Sequence, residues 1–72
     1  MKKCKIYFCD EEKIKFYIRG VILGGDPFIQ IIPAWLGDEV AIYEEDKAKE
    51  YVRMLNDEFS EIDKITFGVE YI

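Results

Sequence analysis

The stretch 44–63, EEDKAKEYVRMLNDEFSEID, decides the fold because its apolar residues recur at spacings of three and four. Such spacing places them on one stripe of an α-helix, opposite the charged residues. The acids that open the stretch suit the first helical turn, where carboxylates meet the positive end of the helix dipole. Asp63 closes the segment. The stripe consists of Ala48, Tyr51, Val52, Leu55, Phe59 and Ile62.

Alternating apolar and polar residues on both sides of this helix predict strands. The runs cover 3–9, 13–22, 28–32 and 40–43 before the helix, and 65–71 after it. The polar break 10–12 indicates a hairpin, and Gly24-Gly25-Asp26-Pro27 is the strongest turn signal. Gly20 indicates a bulge or a bend within the second run. The third run is almost entirely apolar, which predicts a strand buried on both faces that ends before Pro33.

Alternation also assigns the side chains of the first hairpin to two faces. The inner face receives Cys4, Ile6, Phe8, Ile14, Phe16, Ile18 and Ile22. The outer face receives Lys3, Lys5, Tyr7, Cys9, Lys13, Lys15, Tyr17, Arg19 and Val21. The two cysteines therefore point to opposite faces of one strand, with Cα atoms roughly 16 Å apart. A disulfide needs about 7 Å or less, so both are expected to be reduced thiols.

Four strands, a helix and a final strand predict an α+β fold with a single domain, 1–72. We expect a five-stranded antiparallel sheet in the order 5-1-2-3-4, with the amphipathic helix on one face. The composition is 50% hydrophobic with ten Tyr and Phe residues, which argues against disorder. No window approaches the roughly 18 apolar residues of a membrane span, and the start does not match a signal peptide. We expect a soluble, cytoplasmic protein with no membrane association.

The net charge of −5 is confined to the helical stretch, which holds eight acids and three bases. Four of the acids fall within about 60° on the side opposite the apolar stripe. We call Asp46, Glu50, Asp57 and Glu61 the acidic ridge. Its like-charge pairs at i,i+4, and its acids near the negative end of the dipole, are locally unfavourable. The ridge is either a solvated face or a surface for a partner protein with a basic surface, supported by Glu58, Met54 and Trp35.

A second candidate surface is the outer face of the hairpin, where bases alternate with aromatic residues. We call Lys5, Tyr7, Lys15, Tyr17 and Arg19 the Lys–Tyr face. Such faces bind single-stranded nucleic acid through phosphate contacts and base stacking. The overall acidity opposes that encounter, so nucleic acid is the less favoured partner. The solvated alternative is an outer face on which Lys blocks edge pairing. The basic face of one copy could also meet the acidic ridge of another, giving a homo-oligomer.

Trp35 lies in a connection between strands, where it either caps one end of the core or anchors an interface. Catalysis is not expected, because the chain has no His, and its only Ser has no His to activate it. No cofactor or metal site is expected, and no motif identifies a family.

The sequence therefore predicts a non-catalytic protein-binding module, a small inhibitor or adaptor whose acidic ridge could mimic nucleic-acid phosphates. Small, acidic, motif-free chains of this kind occur among phage-encoded inhibitors, which is an analogy of kind. The alternatives are a single-stranded nucleic-acid binder and a self-assembling structural protein.

Overall fold

The computed structural model describes residues 2–25 and 28–72, with the side chains of 60–63 excepted. Within that part the chain forms five strands and one helix. The first three strands are β1 (Lys3–Cys9), β2 (Lys15–Leu23) and β3 (Ile29–Ala34). They are followed by β4 (Tyr43–Glu44), α1 (Glu45–Asp63) and β5 (Thr66–Tyr71). The predicted turn at Asp26-Pro27 lies outside the described residues.

The architecture confirms the predicted α+β fold, an open antiparallel sheet with a helix packed on one face. β1 pairs with β2, β2 pairs with β3, and β5 pairs with β1 along residues 4–9, as expected. The short β4 differs from the expected order, since it pairs with β1 rather than with β3. Its partners on β1 are Lys3 and Cys4, which lie beyond the part of β1 that pairs with β2.

A bulge explains how β4 reaches β1. The pairing of β2 with β3 shifts register between Ile18 and Gly20, the position at which the sequence predicted a bulge or a bend. Because a bulge bends its strand, β2 pairs with β1 only at residues 15–17. The edge of β1 that β2 does not pair with receives β4, and Ala41 N–H donates to the Ile18 carbonyl at 3.1 Å.

The core lies between α1 and the sheet. Among the described side chains, seven are buried there: Cys4, Ile6, Ile18, Ile29, Ala48, Leu55 and Phe67. The alternation of β1 and the apolar stripe of α1 are therefore confirmed at these positions. Cys4 is buried, Cys9 is half-buried, and neither forms a disulfide, as expected.

Two assignments of the second run to the inner face are wrong. Ile14 precedes β2 and is 48% exposed, and Ile22 is 44% exposed. The bulge reverses the alternation beyond Gly20, so that Val21 packs against the core instead. The expectation for the third run is also wrong. Of that strand only Ile29 is buried, because β3 is an edge strand, and Pro33 lies within it. An edge tolerates proline since an outward N–H has no ladder partner to lose.

Candidate functional site

The acidic ridge lies on the solvent side of α1. Asp46, Glu50 and Asp57 are exposed, whereas the side chain of Glu61 lies outside the described part. Glu45 and Asp46 occupy the first helical turn, and no base occupies the last one. The structure thus has the predicted orientation of the helix, and Asp46, Glu50 and Asp57 are exposed as predicted.

The ridge is not uniformly acidic along its length. Arg53 projects within about 40° of Asp57, since successive residues rotate by 100°, and it is exposed. Lys49 Nζ lies 3.7 Å from Glu45 Oε2, and Lys47 Nζ lies 3.9 Å from Glu50 Oε2. Residues 45–53 therefore hold three acids and three bases, whereas residues 54–63 hold four acids and no base. The uncompensated charge is therefore confined to residues 54–63, which we call the acidic half of α1.

Met54 and Glu58 differ from the exposed ridge residues. Met54 is half-buried and packs against the core, so it offers a partner only part of its surface. Glu58 is half-buried.

Trp35 and Leu36 form the most exposed apolar pair of the described residues. Trp35 is 68% exposed and Leu36 is fully exposed. The core-cap interpretation of Trp35 is therefore wrong, and the anchor interpretation stays a prediction. We call residues 35–38 the Trp35 turn.

The Trp35 turn is fixed from both sides by Asp38. The Asp38 N–H donates to the Trp35 carbonyl at 2.9 Å, and the Trp35 N–H donates to Asp38 Oδ2 at 2.9 Å. Gly37 takes φ 92° at the third position of the turn, where a side chain would be strained. Arg19 Nη1 approaches the same Asp38 oxygen at 3.9 Å. The apolar pair is thus presented by a stiff turn rather than by a loose loop.

The Trp35 turn and the acidic half of α1 lie at the same end of the sheet. β3 ends at Ala34, which pairs with Tyr17 of β2, and Tyr17 in turn pairs with Tyr7 of β1. At the same end of the sheet, β1 ends at Cys9, which pairs with Thr66. Thr66 is the first residue of β5, the element that follows α1. Three strand spacings, about 14 Å, separate β3 from β5. One partner surface of ordinary size could cover both features.

The Lys–Tyr face forms a closed network on the open side of the sheet. Lys5 Nζ lies 4.6 Å from the centre of the Tyr17 ring, and Lys15 Nζ lies 4.5 Å from that of Tyr7. Arg19 takes no part in these contacts, since it faces Asp38 of the Trp35 turn. Four of the five predicted residues are thus brought together.

Glu70, which the sequence analysis did not select, is the centre of this network. Its carboxylate accepts from Lys15 Nζ at 2.9 Å and from Tyr17 Oη at 3.0 Å, and Lys5 Nζ lies 3.2 Å away. A signal for it existed, because Glu70 is the one acid on the outward positions of the last strand. A strand that pairs antiparallel with β1 places that acid beside the lysines.

These donors hold the pKa of Glu70 far below its ordinary value of 4.5, at about 2. The largest cause is the hydrogen bond from Lys15, followed by those from Lys5 and Tyr17. The same contact with Glu70 raises the pKa of Lys15. Lys5 and Lys15, two of the bases that would bind phosphates, therefore already form ion pairs with Glu70 of the same chain.

The depressed pKa of Glu70 predicts a loss of stability in acid. Its contribution is complete above the unfolded pKa of about 4.5 and is lost as the pH falls through the folded pKa of about 2. We expect the thermal midpoint to fall more between pH 4.5 and pH 2 in the wild type than in Glu70→Gln. Circular dichroism melts measure this, with the exposed Glu39→Gln as the matched control. An equal fall in wild type and Glu70→Gln would contradict the network.

Within the described side chains, no group of three or more acids and cysteines is arranged to hold a metal ion. No described helix is long and apolar enough to cross a bilayer. No protein family, characterised protein or solved structure matches the chain.

Proposed function

We propose that this chain is a non-catalytic protein-binding module that acts as a small inhibitor or adaptor. The observation that carries the proposal is the Trp35 turn, which holds Trp35 and Leu36 in solvent. Tryptophan is among the residues that most often dominate binding energies at protein interfaces. These two large apolar side chains are held in solvent by a fixed turn, so they do not contribute to the core of the domain.

The stiffness of the turn supports this interpretation. A partner that buries a mobile loop must also order its backbone, at a cost of roughly 1–2 kcal/mol per residue. Asp38 and Gly37 already hold the backbone of the turn in one conformation. Binding through Trp35 and Leu36 therefore does not require further ordering of the backbone of the turn.

The acidic half of α1 supplies the second part of the proposal. It lies at the same end of the sheet and carries four acids without a base. A field of one sign raises the association rate with a surface of the opposite sign and selects against acidic partners. The proposed target therefore combines an apolar pocket with a basic rim. Mimicry of nucleic-acid phosphates is the version of this proposal in which that rim is a nucleic-acid-binding groove.

Binding of single-stranded nucleic acid is the weaker proposal. Lys5 and Lys15 neutralise Glu70, and each also covers one tyrosine ring. Nucleic acid would have to displace these contacts before it could stack on Tyr7 or Tyr17. The same pairing weakens the proposal that this face binds the acidic ridge of another copy.

Substitution of the Trp35 turn tests the proposed function. Immobilised protein would capture the target from a cell extract, and the affinity of the captured protein would then be measured. We expect Trp35→Ser with Leu36→Ser to weaken binding by about 30-fold or more, as loss of a hot spot of about 2 kcal/mol predicts. Ile72→Ser is the matched control, because Ile72 is 73% exposed at a different place.

Two double variants, each with two acids replaced by lysine, test the acidic half of α1 separately. Asp57→Lys with Glu58→Lys is expected to slow association and to reduce its dependence on salt. Asp46→Lys with Glu50→Lys, in the half already balanced by bases, is expected to have the smaller effect. Targets that bind all of these variants as tightly as the wild type would overturn the proposed function.

A further inference from the structure

β3 forms an outer edge of the sheet that carries no charge. It is the last strand on its side among the described residues. Residues 20–37, which contain β3 and the last four residues of β2, include a single charged residue, Asp26. Charged residues make up 35% of the whole chain. Sheet edges are usually protected by charged side chains, above all lysine, or by proline; β3 has no charged residue, and its one proline, Pro33, lies next to its last residue.

The backbone groups that this edge presents follow from the hairpin. The Phe28 carbonyl accepts from Gly24 N–H at 2.7 Å, so the backbone of Phe28 faces β2. Successive residues of an antiparallel strand alternate between the two sides. Ile29, Ile31 and Pro33 therefore direct their backbone groups outward, with N–H donors on the first two and carbonyl oxygens on all three.

We propose that a second copy of this chain pairs antiparallel along β3 and joins two sheets into one of ten strands. A two-fold axis at Ile31 lets each Ile31 exchange N–H and carbonyl bonds with Ile31 of the second copy. Each Ile29 N–H then meets the Pro33 carbonyl of the second copy. Every outward N–H donor of β3 then has an acceptor. In each copy only the Ile29 carbonyl lacks a donor, because Pro33 of the other copy has no N–H.

Apolar side chains beside the edge support a copy of the same chain as occupant. Ile32 lies near Gly20 and Ile22 on the open face, and Ile22 is 44% exposed. Phe28, which is 58% exposed, comes beside Ala34 of the second copy in this register. An isologous interface presents the same patch from both sides, so an uncharged patch needs no partner of opposite charge.

The net charge of −5 on each copy does not oppose this arrangement. The helix packs mainly against β5 and β1, two strands or more from the shared edge, and touches β3 less extensively. Five strand spacings, about 24 Å, separate the two copies of β1. That is about three Debye lengths at physiological ionic strength, so repulsion between the acidic helices is largely screened. The paired residues, 28–34, end directly before the Trp35 turn, so dimer formation and target binding are measured as separate properties.

Sedimentation equilibrium and light scattering over a concentration series test the pairing. We expect the 8.5 kDa chain to form a species of twice that mass that persists in high salt. Ile32→Lys places the two lysines of a dimer diagonally, roughly 7–8 Å apart. It is expected to weaken the dimer at least tenfold. Ile42→Lys is the matched control, since Ile42 is 48% exposed and directly precedes β4, which pairs with β1 rather than with β3.

Amide hydrogen exchange shows whether β3 is the shared strand. The outward N–H groups of Ile29 and Ile31 are expected to exchange rapidly at low concentration and to become protected as the dimer forms. A wild type that is monomeric at every concentration would overturn the proposal. A dimer that leaves these two amides unprotected, or that tolerates Ile32→Lys, would also overturn it. Binding of the target through the Trp35 turn is measured separately, so either proposal can fail alone.

Discussion

Asn56→Ala is expected to lower the free energy of unfolding by about 2–3 kcal/mol, from the loss of two partly buried hydrogen bonds. Asn56 Oδ1 accepts from the Phe67 N–H at 2.8 Å, and its Nδ2 donates to the Phe67 carbonyl at 3.2 Å. The amide thus occupies the place of a neighbouring strand on the outer side of β5. It fixes α1 to the sheet at Phe67, which is buried in the core.

The magnitude is large for a domain of this size. A chain of 72 residues has a total stability of roughly 4–11 kcal/mol, at about 0.05–0.15 kcal/mol per residue. The substitution leaves both backbone groups of Phe67 without their amide partner, and alanine can replace neither bond. The loss therefore exceeds the small gain in helix propensity that alanine brings.

Urea unfolding followed by circular dichroism measures the effect. Arg53→Ala is the control, because it makes the same type of change on the same helix at an exposed position. Asn56→Asp keeps the acceptor for Phe67 N–H but directs a carboxylate oxygen at the carbonyl, so it is expected not to restore stability. If Asn56→Ala unfolds at the same urea concentration as Arg53→Ala, the amide does not fix the helix to β5.

Periodicity predicted the parts of this fold that depend on neighbours along the chain. The stripe of α1 follows directly from spacings of three and four and the inner face of β1 from a spacing of two, as buried Ala48, Leu55, Cys4 and Ile6 show. Gly20 marked the bulge correctly. The error at Ile22 arose because the alternation was continued through that bulge without being reversed.

The position of β4 could not be predicted in the same way. A meander assumption placed it beside β3, whereas the structure places it on the edge of β1 that the bent β2 does not cover. That choice depends on how far β2 diverges, which is a property of the assembled sheet. The burial assigned to the third run failed because its apolar sequence is typical of a strand covered on both faces, whereas β3 lies at the edge of the sheet without the charged residues that usually mark an edge.

The candidate surfaces show the same division. The exposure of the acidic ridge followed from helix geometry alone. The charge balance of its first half depends on Arg53 as well as on Lys47 and Lys49, and Arg53 lies in the same sector as Asp57. The role of Glu70 required the pairing of β5 with β1, and the exposure of Trp35 depended on the turn fixed by Asp38.

Gly68→Ala is expected to destabilise the protein by about 1–3 kcal/mol, as overpacking at a close contact does. A Cβ at this position would lie 2.5 Å from Tyr7 Oη and 2.6 Å from Tyr7 Cζ, because the Tyr7 ring lies over the glycine. The ring must move away. It would then lose its contact with Lys15, whose ammonium also holds Glu70. One methyl group thus disturbs the whole network of the Lys–Tyr face.

A double-mutant cycle separates this steric cause from the intrinsic effect of alanine. In a Tyr7→Thr background the ring is absent, and Gly68→Ala is expected to be neutral or slightly stabilising, since alanine loses less conformational freedom than glycine. The coupling between the two sites should therefore be about as large as the single effect. Gly20→Ala is the control within the same sheet. A Cβ there would lie 3.7 Å from Ile32 Cδ1, an ordinary contact, so little change is expected. Equal costs of Gly68→Ala with and without the Tyr7 ring would show that the ring is not what confines this position to glycine.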